Sequence, residues 1–302
     1  MSSEPRPPQG AAATEDGLGA AGGVPEPAAR PALDAAWYDA IAARRSRRRY
    51  SDRKVAPAAL AELEAFCARF RLAGDVRVVL AEGAGDVFTG LMDRFGGAYG
   101  RVEGAPWTAA FVGPAGSETE AGYVGEAFVL EATRLGLGTC WVAGMFDHAT
   151  ASGLASLRPG EKVIAVTPVG HPLERKALVE RTMSTAVRSA ARRQVEDIAP
   201  GLVRGVWQSG GATGAGAWPA WAVSAVEAAR QAPSGANRQP WRFRVDGGAL
   251  VLASAERAYW TAPIDFGIAM LHAELGALHE GVRGEWVRLM LPDVARFEPD
   301  RG

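Results

Sequence analysis

"APSGANRQPW" occupies Ala232 to Trp241, and far upstream "RRSRRRY" occupies Arg44 to Tyr50. In the later stretch Pro233 stops a preceding helix, Ser234 offers hydroxyl and amide donors, and Gly235 lets a ligand approach the backbone with no Cβ in the way. Asn237 brings both a donor and an acceptor, the combination that a ring with alternating carbonyls and N–H groups requires. The same residues also read as a turn closed by an Asx hydrogen bond that leads into a packed indole at Trp241. In the earlier stretch Arg44, Arg45 and Arg48 can present planar forks to phosphate oxygens, each charge-assisted bond being worth about 1.5–3 kcal/mol. Ser46 adds a hydroxyl. The plainer readings are a solvated basic turn or a nucleic-acid patch. Both stretches suit a flat, phosphorylated ligand, yet they lie in different parts of the chain, and how they meet decides the fold.

Bulk composition narrows the possibilities. The chain has 302 residues, 48% of them hydrophobic, enough for one large core or two smaller ones. Lys and Arg total 33 against 34 Asp and Glu, so no broad field favours nucleic acid or an anionic membrane, and any basic site must be local. Cys67 and Cys140 are too few for a disulfide framework, no Cys/His spacing marks a metal site, and the thiols fit a reducing, cytoplasmic compartment. Residues 1–33 are rich in Ala, Gly and Pro and carry acidic residues, reading as a disordered tail, and no apolar run is long enough to span a membrane.

Two similar plans follow one another. Trp37 and Ile41 mark a helix that runs into the arginines. Leu60, Leu63, Phe66 and Phe70 mark a second helix after Pro57. "DVRVVLA" and "WTAAFVGP" read as strands, Ala121 to Gly138 as a long helix apolar around most of its circumference, and "VIAVTPVGHP" as a buried strand. After a Gly-rich interruption at residues 205–219 come a helix from Trp221 to Gln231, a hairpin "WRFRV…ALVLA" around Asp246-Gly247-Gly248, a helix with an apolar face at Ile268, Leu271, Leu275, Leu278 and Val282, and the strand "EWVRLML". Each part reads helix, strand, strand, long buried helix, strand, which is the pattern of a degenerate internal duplication.

"RRSRRRY", "LGLGTCW" (Leu135 to Trp141), "VIAVTPVGHP" and "APSGANRQPW" together resemble segments of the nitroreductase-like flavoproteins, over about Ala35 to Leu291. More closely, their order resembles a branch with two nitroreductase-like halves in one chain. The resemblance implies an α+β fold in which two tandem α/β halves form an intrachain pseudo-dimer. The expected divisions are a tail at 1–33, one half at 34–204, a connection at 205–219 and a second half at 220–302. The first part lacks a Pro-Ser-Gly-x-Asn turn, having only "RLAGD". The second has that turn but shows "HEGVRGEW" instead of "LGLGTCW" and has no arginine cluster. One complete site, one FMN per chain and a monomer are therefore expected.

The resemblance further implies that Arg44, Arg45 and Ser46 hold the FMN phosphate or ribityl chain and that Arg48 lies at the N1 and C2 edge. Pro233, Ser234, Gly235 and Asn237 would come from the second half, and Gly136, Leu137, Gly138 and Thr139 would pass along the other face of the ring. Arg192 or Arg193, in "AARRQVEDI", would add a phosphate contact. Hydride from NADH or NADPH would reach flavin N5 and pass to a small electron acceptor such as a nitroaromatic or quinone, in a ping-pong scheme with no catalytic side chain named and no metal. Trp107, Tyr99 and Tyr123 are candidates for a substrate cleft, while the four histidines and Cys140 read as structural. Three alternatives stay open: another reaction of the same fold (dehalogenation, desaturation or flavin breakdown), a non-catalytic flavin-binding or flavin-sensing protein, and a nucleic-acid binder, which the neutral charge disfavours.

Overall fold

The computed structural model describes residues 32–71, 75–83, 86–88, 102–173, 191–202, 218–255, 259 and 261–301. Most of the expected tail and of the Gly-rich connection, the centre of "RLAGD", and Tyr99 lie outside the described residues.

The first part of the chain contains α1 (Ala36–Ala43), α2 (Pro57–Arg69), β1 (Arg77–Glu82), β2 (Trp107–Pro114), α3 (Glu118–Arg134), β3 (Gly138–Thr139), α4 (His148–Ala155) and β4 (Glu161–Gly170). A short α5 (Val195–Ile198) follows, and then α6 (Ala220–Arg230), β5 (Trp241–Asp246), β6 (Ala249–Ser254), α7 (Ala262–His279), β7 (Gly284–Arg288) and β8 (Asp293–Pro299). The strands form two four-stranded sheets, ordered β1-β2-β4-β3 and β5-β6-β8-β7. Every named strand pair is antiparallel. In both sheets the first strand pairs with the second, the second with the fourth and the fourth with the third.

Pattern explains most of these elements. Pro57 sits in the first turn of α2, where its missing N–H costs no hydrogen bond. Leu63 and Phe66 turn from that helix toward Trp37 of α1, whose ring meets Phe66 and Phe70 edge-on at 5.8 and 5.5 Å between centroids. Asp246 pairs with Ala249 across a two-residue turn in which Gly247 and Gly248 have φ of 57° and 82°, the left-handed pair that a tight hairpin needs. Strands β2 and β4 read as continuous apolar runs because both faces are covered. Ala109, Phe111 and Ala165 face the main core, while Ala110, Val112, Val163 and Val166 face a second cluster with Ala151 of α4.

Helices α3 and α7 are buried around their circumference because they pack on each other at the centre. A Cβ at Gly122 would lie 2.1 Å from the Ile264 oxygen, and one at Gly267 would lie 1.8 Å from the Thr119 oxygen. The main core is a single cluster running from Trp37 to Phe297, so both sheets and both central helices share it.

Three details differ from the sequence reading. The long helix begins at Glu118 and stops at Arg134, and Gly138-Thr139 belongs to β3, pairing with Gly170 and Val169. The later helix ends at His279, so Val282 lies beyond it. The final residues, expected outside the repeated plan, form β8, which lies between β6 and β7. Its Val294, Ala295 and Phe297 are buried, but a strand of alternating charge and small residues lacks a long apolar run to reveal it.

Both central helices end in the same way. Gly136 (φ 74°) donates to the Thr133 oxygen and Leu137 to the Ala132 oxygen, and Gly281 (φ 76°) donates to Leu278 and Val282 to Ala277. Left-handed glycines of this kind close helices by satisfying the last carbonyls. "LGLG" and "HEGV" are therefore the same backbone device with different side chains.

Candidate functional site

At the end of α1, Arg44 turns inward and becomes buried. Arg45 folds back, its Nη1 donating to the oxygens of Ala42 and Arg44 at 2.8 and 2.7 Å, so it caps the helix. The chain then runs extended. Ser46 forms a parallel bridge with Thr139, and Arg47 N donates to the Thr139 oxygen at 2.7 Å. Gly138 lies close against this segment, since a Cβ on it would sit 3.0 Å from that of Arg47. The Arg48 oxygen accepts from Glu103 N, and Tyr50 is anchored through its hydroxyl to the Arg47 oxygen at 2.6 Å. "RRSRRRY" and "LGLGTCW" are thus joined through backbone pairing.

The turn after α6 is held from two sides. Gly235 N donates to both carboxylate oxygens of Asp265, at 3.0 and 3.1 Å, and Tyr259 donates to the same carboxylate. Ser234 Oγ accepts from Gln239 N at 2.9 Å. Ala236, Asn237 and Gln239 have φ of 49°, 54° and 50°, left-handed values that side chains other than glycine rarely adopt. The other support is residues 191–193. Asn237 Nδ2 donates to the Ala191 oxygen at 2.9 Å, its Oδ1 lies 3.4 Å from Arg192 Nη1, and Arg193 N donates to Gln239 Oε1 at 2.8 Å. The Asn237 side chain thus ties the turn to a segment well separated in sequence, and the local side chain-to-backbone bond that closes the turn comes from Ser234.

The arginines connect the two sets. Burial and the neighbouring positive charges of Arg44, Arg45 and Arg230 push the Arg192 guanidinium down to about 10. Burial likewise lowers Arg44, with Glu126 acting in the opposite direction and Arg45 adding to the depression. Arg44 Nε is buried with no hydrogen-bond partner. It lies 3.8 Å from Glu126 Oε1, and this carboxylate already accepts from Trp141 Nε1 at 2.7 Å and meets His272 Nε2 at 2.9 Å. Guanidinium groups gathered in one buried place raise one another's free energy, and a bound anion would lower it. The donor set fits a phosphorylated group.

Of the residues singled out in the sequence, Arg44, Arg45, Arg192 and Asn237 are brought into one neighbourhood, with Arg193 tied to the same turn, and Ser46, Gly138 and Thr139 meet on the other side of the basic segment. Gly136 and Leu137 form the terminus of α3. Pro233 precedes the turn, three residues beyond the end of α6. Tyr123 is buried, its hydroxyl donating to Glu274 at 2.8 Å, so it belongs to the helix interface and not to a cleft. Trp107 packs partly buried against the core. Sequence reasoning assigned no part in the site to Glu126, His272, Gln239 or Asp265, each of which has a partner thirty or more residues away. Glu126 and His272 are 146 residues apart.

A family model described as "Putative TM nitroreductase" matches residues 36–277. The chain belongs to this nitroreductase family. A crystal structure of a putative nitroreductase from Thermotoga maritima shares its fold, with a TM-score of 0.54 at 22% identity over 86% of this chain and 92% of that one. A nitroreductase family protein from Clostridium novyi matches at a TM-score of 0.39 and 21% identity over 46% of this chain and 86% of its own. An FMN-dependent nitroreductase from Clostridium difficile matches at 0.37 and 16% identity over 45% and 88%. No curated protein matches the chain. Among the described residues of this nitroreductase-family protein, no helix is long and apolar enough to cross a membrane.

Proposed function

We propose that the protein is an FMN-dependent NAD(P)H oxidoreductase of nitroreductase type, binding one flavin per chain between its two parts. The observation that carries this reading is the convergence of Arg44 and Arg45, from the first part, on Arg192 and Arg230, with Arg192 in turn reaching Asn237 of the later turn. Arg44 and Arg192 would bind the phosphate, and Ser46 would contribute its exposed hydroxyl. Asn237 and Gln239 would hold residues 191–193 in place so that Arg192 keeps its direction. FMN, when bound, supplies hydride transfer between a reduced nicotinamide and a small acceptor such as a nitroaromatic or quinone. The charge required to retain it comes from the chain itself.

The same reading takes residues 34–204 and 220–302 as an intrachain pseudo-dimer. The repeated strand order and the matching ends of α3 and α7 support it. So does the absence of an arginine cluster before α6 that could match "RRSRRRY". The first test is the visible spectrum of the purified protein, which should show bound flavin, with bleaching on anaerobic addition of NADPH or NADH. A flavin that binds but does not bleach would favour a flavin-binding protein without turnover. Released flavin should approach one per chain and the particle should sediment as a monomer. Arg44→Ala is expected to weaken FMN binding by about tenfold to a hundredfold, the loss of one or two charge-assisted bonds. Unchanged occupancy in that variant and in Asn237→Ala would count against the site.

A further inference from the structure

Glu126 projects from α3 and His272 from α7, and both side chains are completely buried. Two contacts determine how many protons they share. His272 Nδ1 lies 3.1 Å from the carbonyl oxygen of Ala228 in α6. A carbonyl oxygen only accepts, so Nδ1 carries a hydrogen. His272 Nε2 lies 2.9 Å from Glu126 Oε1. A ring lone pair facing a carboxylate lone pair at that distance would be repulsive, so one proton lies between them. It rests either on nitrogen, giving imidazolium and carboxylate, or on oxygen, giving neutral imidazole and carboxylic acid. Both arrangements have zero net charge.

The other Glu126 oxygen accepts from Trp141 Nε1 at 2.7 Å, so each carboxyl oxygen has a hydrogen-bond partner other than Arg44. Arg44 Nε stands 3.8 Å from Glu126 Oε1, within ion-pair range but beyond hydrogen-bonding distance, and makes no hydrogen bond. We propose that Glu126 and His272 form a charge-neutral positioning pair across the central helices, which holds Glu126 to a long, non-hydrogen-bonded contact with Arg44 and so leaves the charge of Arg44 available to an anionic ligand. The inference rests on the reading above that Arg44 faces such a ligand. It assigns a purpose to two buried polar residues that never touch that ligand.

The consequence is a non-additive pattern. His272→Gln removes the group that shares the proton with Glu126, so that Glu126 ionises against Arg44, which should lower anion affinity about tenfold through the competing ion pair. Adding Glu126→Gln removes that charge and should restore affinity to within about twofold of the parent. A pair that only packed the core would show the reverse, the double variant binding as weakly as the single one or more weakly.

The experiment measures FMN affinity by fluorescence titration and, separately, inorganic phosphate by its upward shift of the thermal unfolding midpoint. Loss in the single variant with recovery in the double variant supports the pair, and failure to recover overturns it. If FMN does not bind but phosphate shows the pattern, the pair stands and the flavin reading falls. If FMN binds and the pattern is absent, the flavin reading stands and the pair falls. If the parent protein binds neither probe, the pair falls with the anion site. Should the single variant not fold, the side-chain 15N spectrum of the parent protein decides: His272 Nδ1 is expected to carry its proton at about pH 7, and an unprotonated Nδ1 overturns the proton count.

Discussion

Asp265 opens the first turn of α7 with its carboxyl group directed at Gly235, Tyr259 and, beyond the Tyr259 ring, Arg238, whose guanidinium lies 4.4 Å from that ring's centre. Burial pushes its pKa up to about 7, against the opposing effect of the Tyr259 and Gly235 hydrogen bonds. The unfolded chain releases this proton near pH 4, whereas the folded chain holds it to about 7. Between those values the folded state binds more protons, so stability falls as pH rises, by up to about 1.4 kcal/mol per pH unit. Urea titrations of the parent protein and of Asp265→Asn across that window check this, and the substitution should flatten the slope. The prediction fails if both proteins show the same pH dependence. The Pro-Ser turn was legible in the sequence as a turn, but its anchor was not, because Asp265 lies 30 residues from Gly235 and reads there as an ordinary acid near a helix start.

Among the elements, α3 and α7 carry the closest constraint. Their backbones approach at Gly122 and Gly267 so tightly that any side chain would meet a carbonyl oxygen from the other helix. Gly122→Ala and Gly267→Ala should each destabilise the fold by about 2–3 kcal/mol despite the better helix propensity of alanine, since overpacking against backbone leaves little room to yield. Denaturant midpoints measure the effect. Gly153 in α4 offers a control, because nothing lies within 4 Å of the position its Cβ would take, and there alanine should be neutral or stabilising. Periodicity in the sequence revealed that both central helices are buried but was silent about which partner each meets, since a helix that is apolar all round suits any interior.

At the scale of the whole molecule, the single core from Trp37 to Phe297 means that neither part buries its central helix alone. Unfolding in denaturant should follow one cooperative transition, coincident by tryptophan fluorescence and far-UV circular dichroism. A fragment ending at residue 204 should show no cooperative melting, because the face of α3 that meets α7 would be open to water. Two separated transitions in the full chain, or a well-folded fragment, would contradict the shared core.

The linear order of residues was sufficient for the local devices: the Asp246-Gly247-Gly248 hairpin, the glycine end of α3, the buried β2 and β4, and the Pro-Ser stretch as a turn. These follow from backbone sterics and from periodicities of two and 3.6, which act between near neighbours. Only the tertiary structure brought Arg44 beside Arg192, tied Arg192 to Asn237, closed Glu126 on His272 and inserted β8 between β6 and β7. Each of those arrangements brings together groups forty or more residues apart along the chain, beyond the reach of local sterics and periodicity, and is decided by side-chain charge, hydrogen bonding and strand pairing between distant segments.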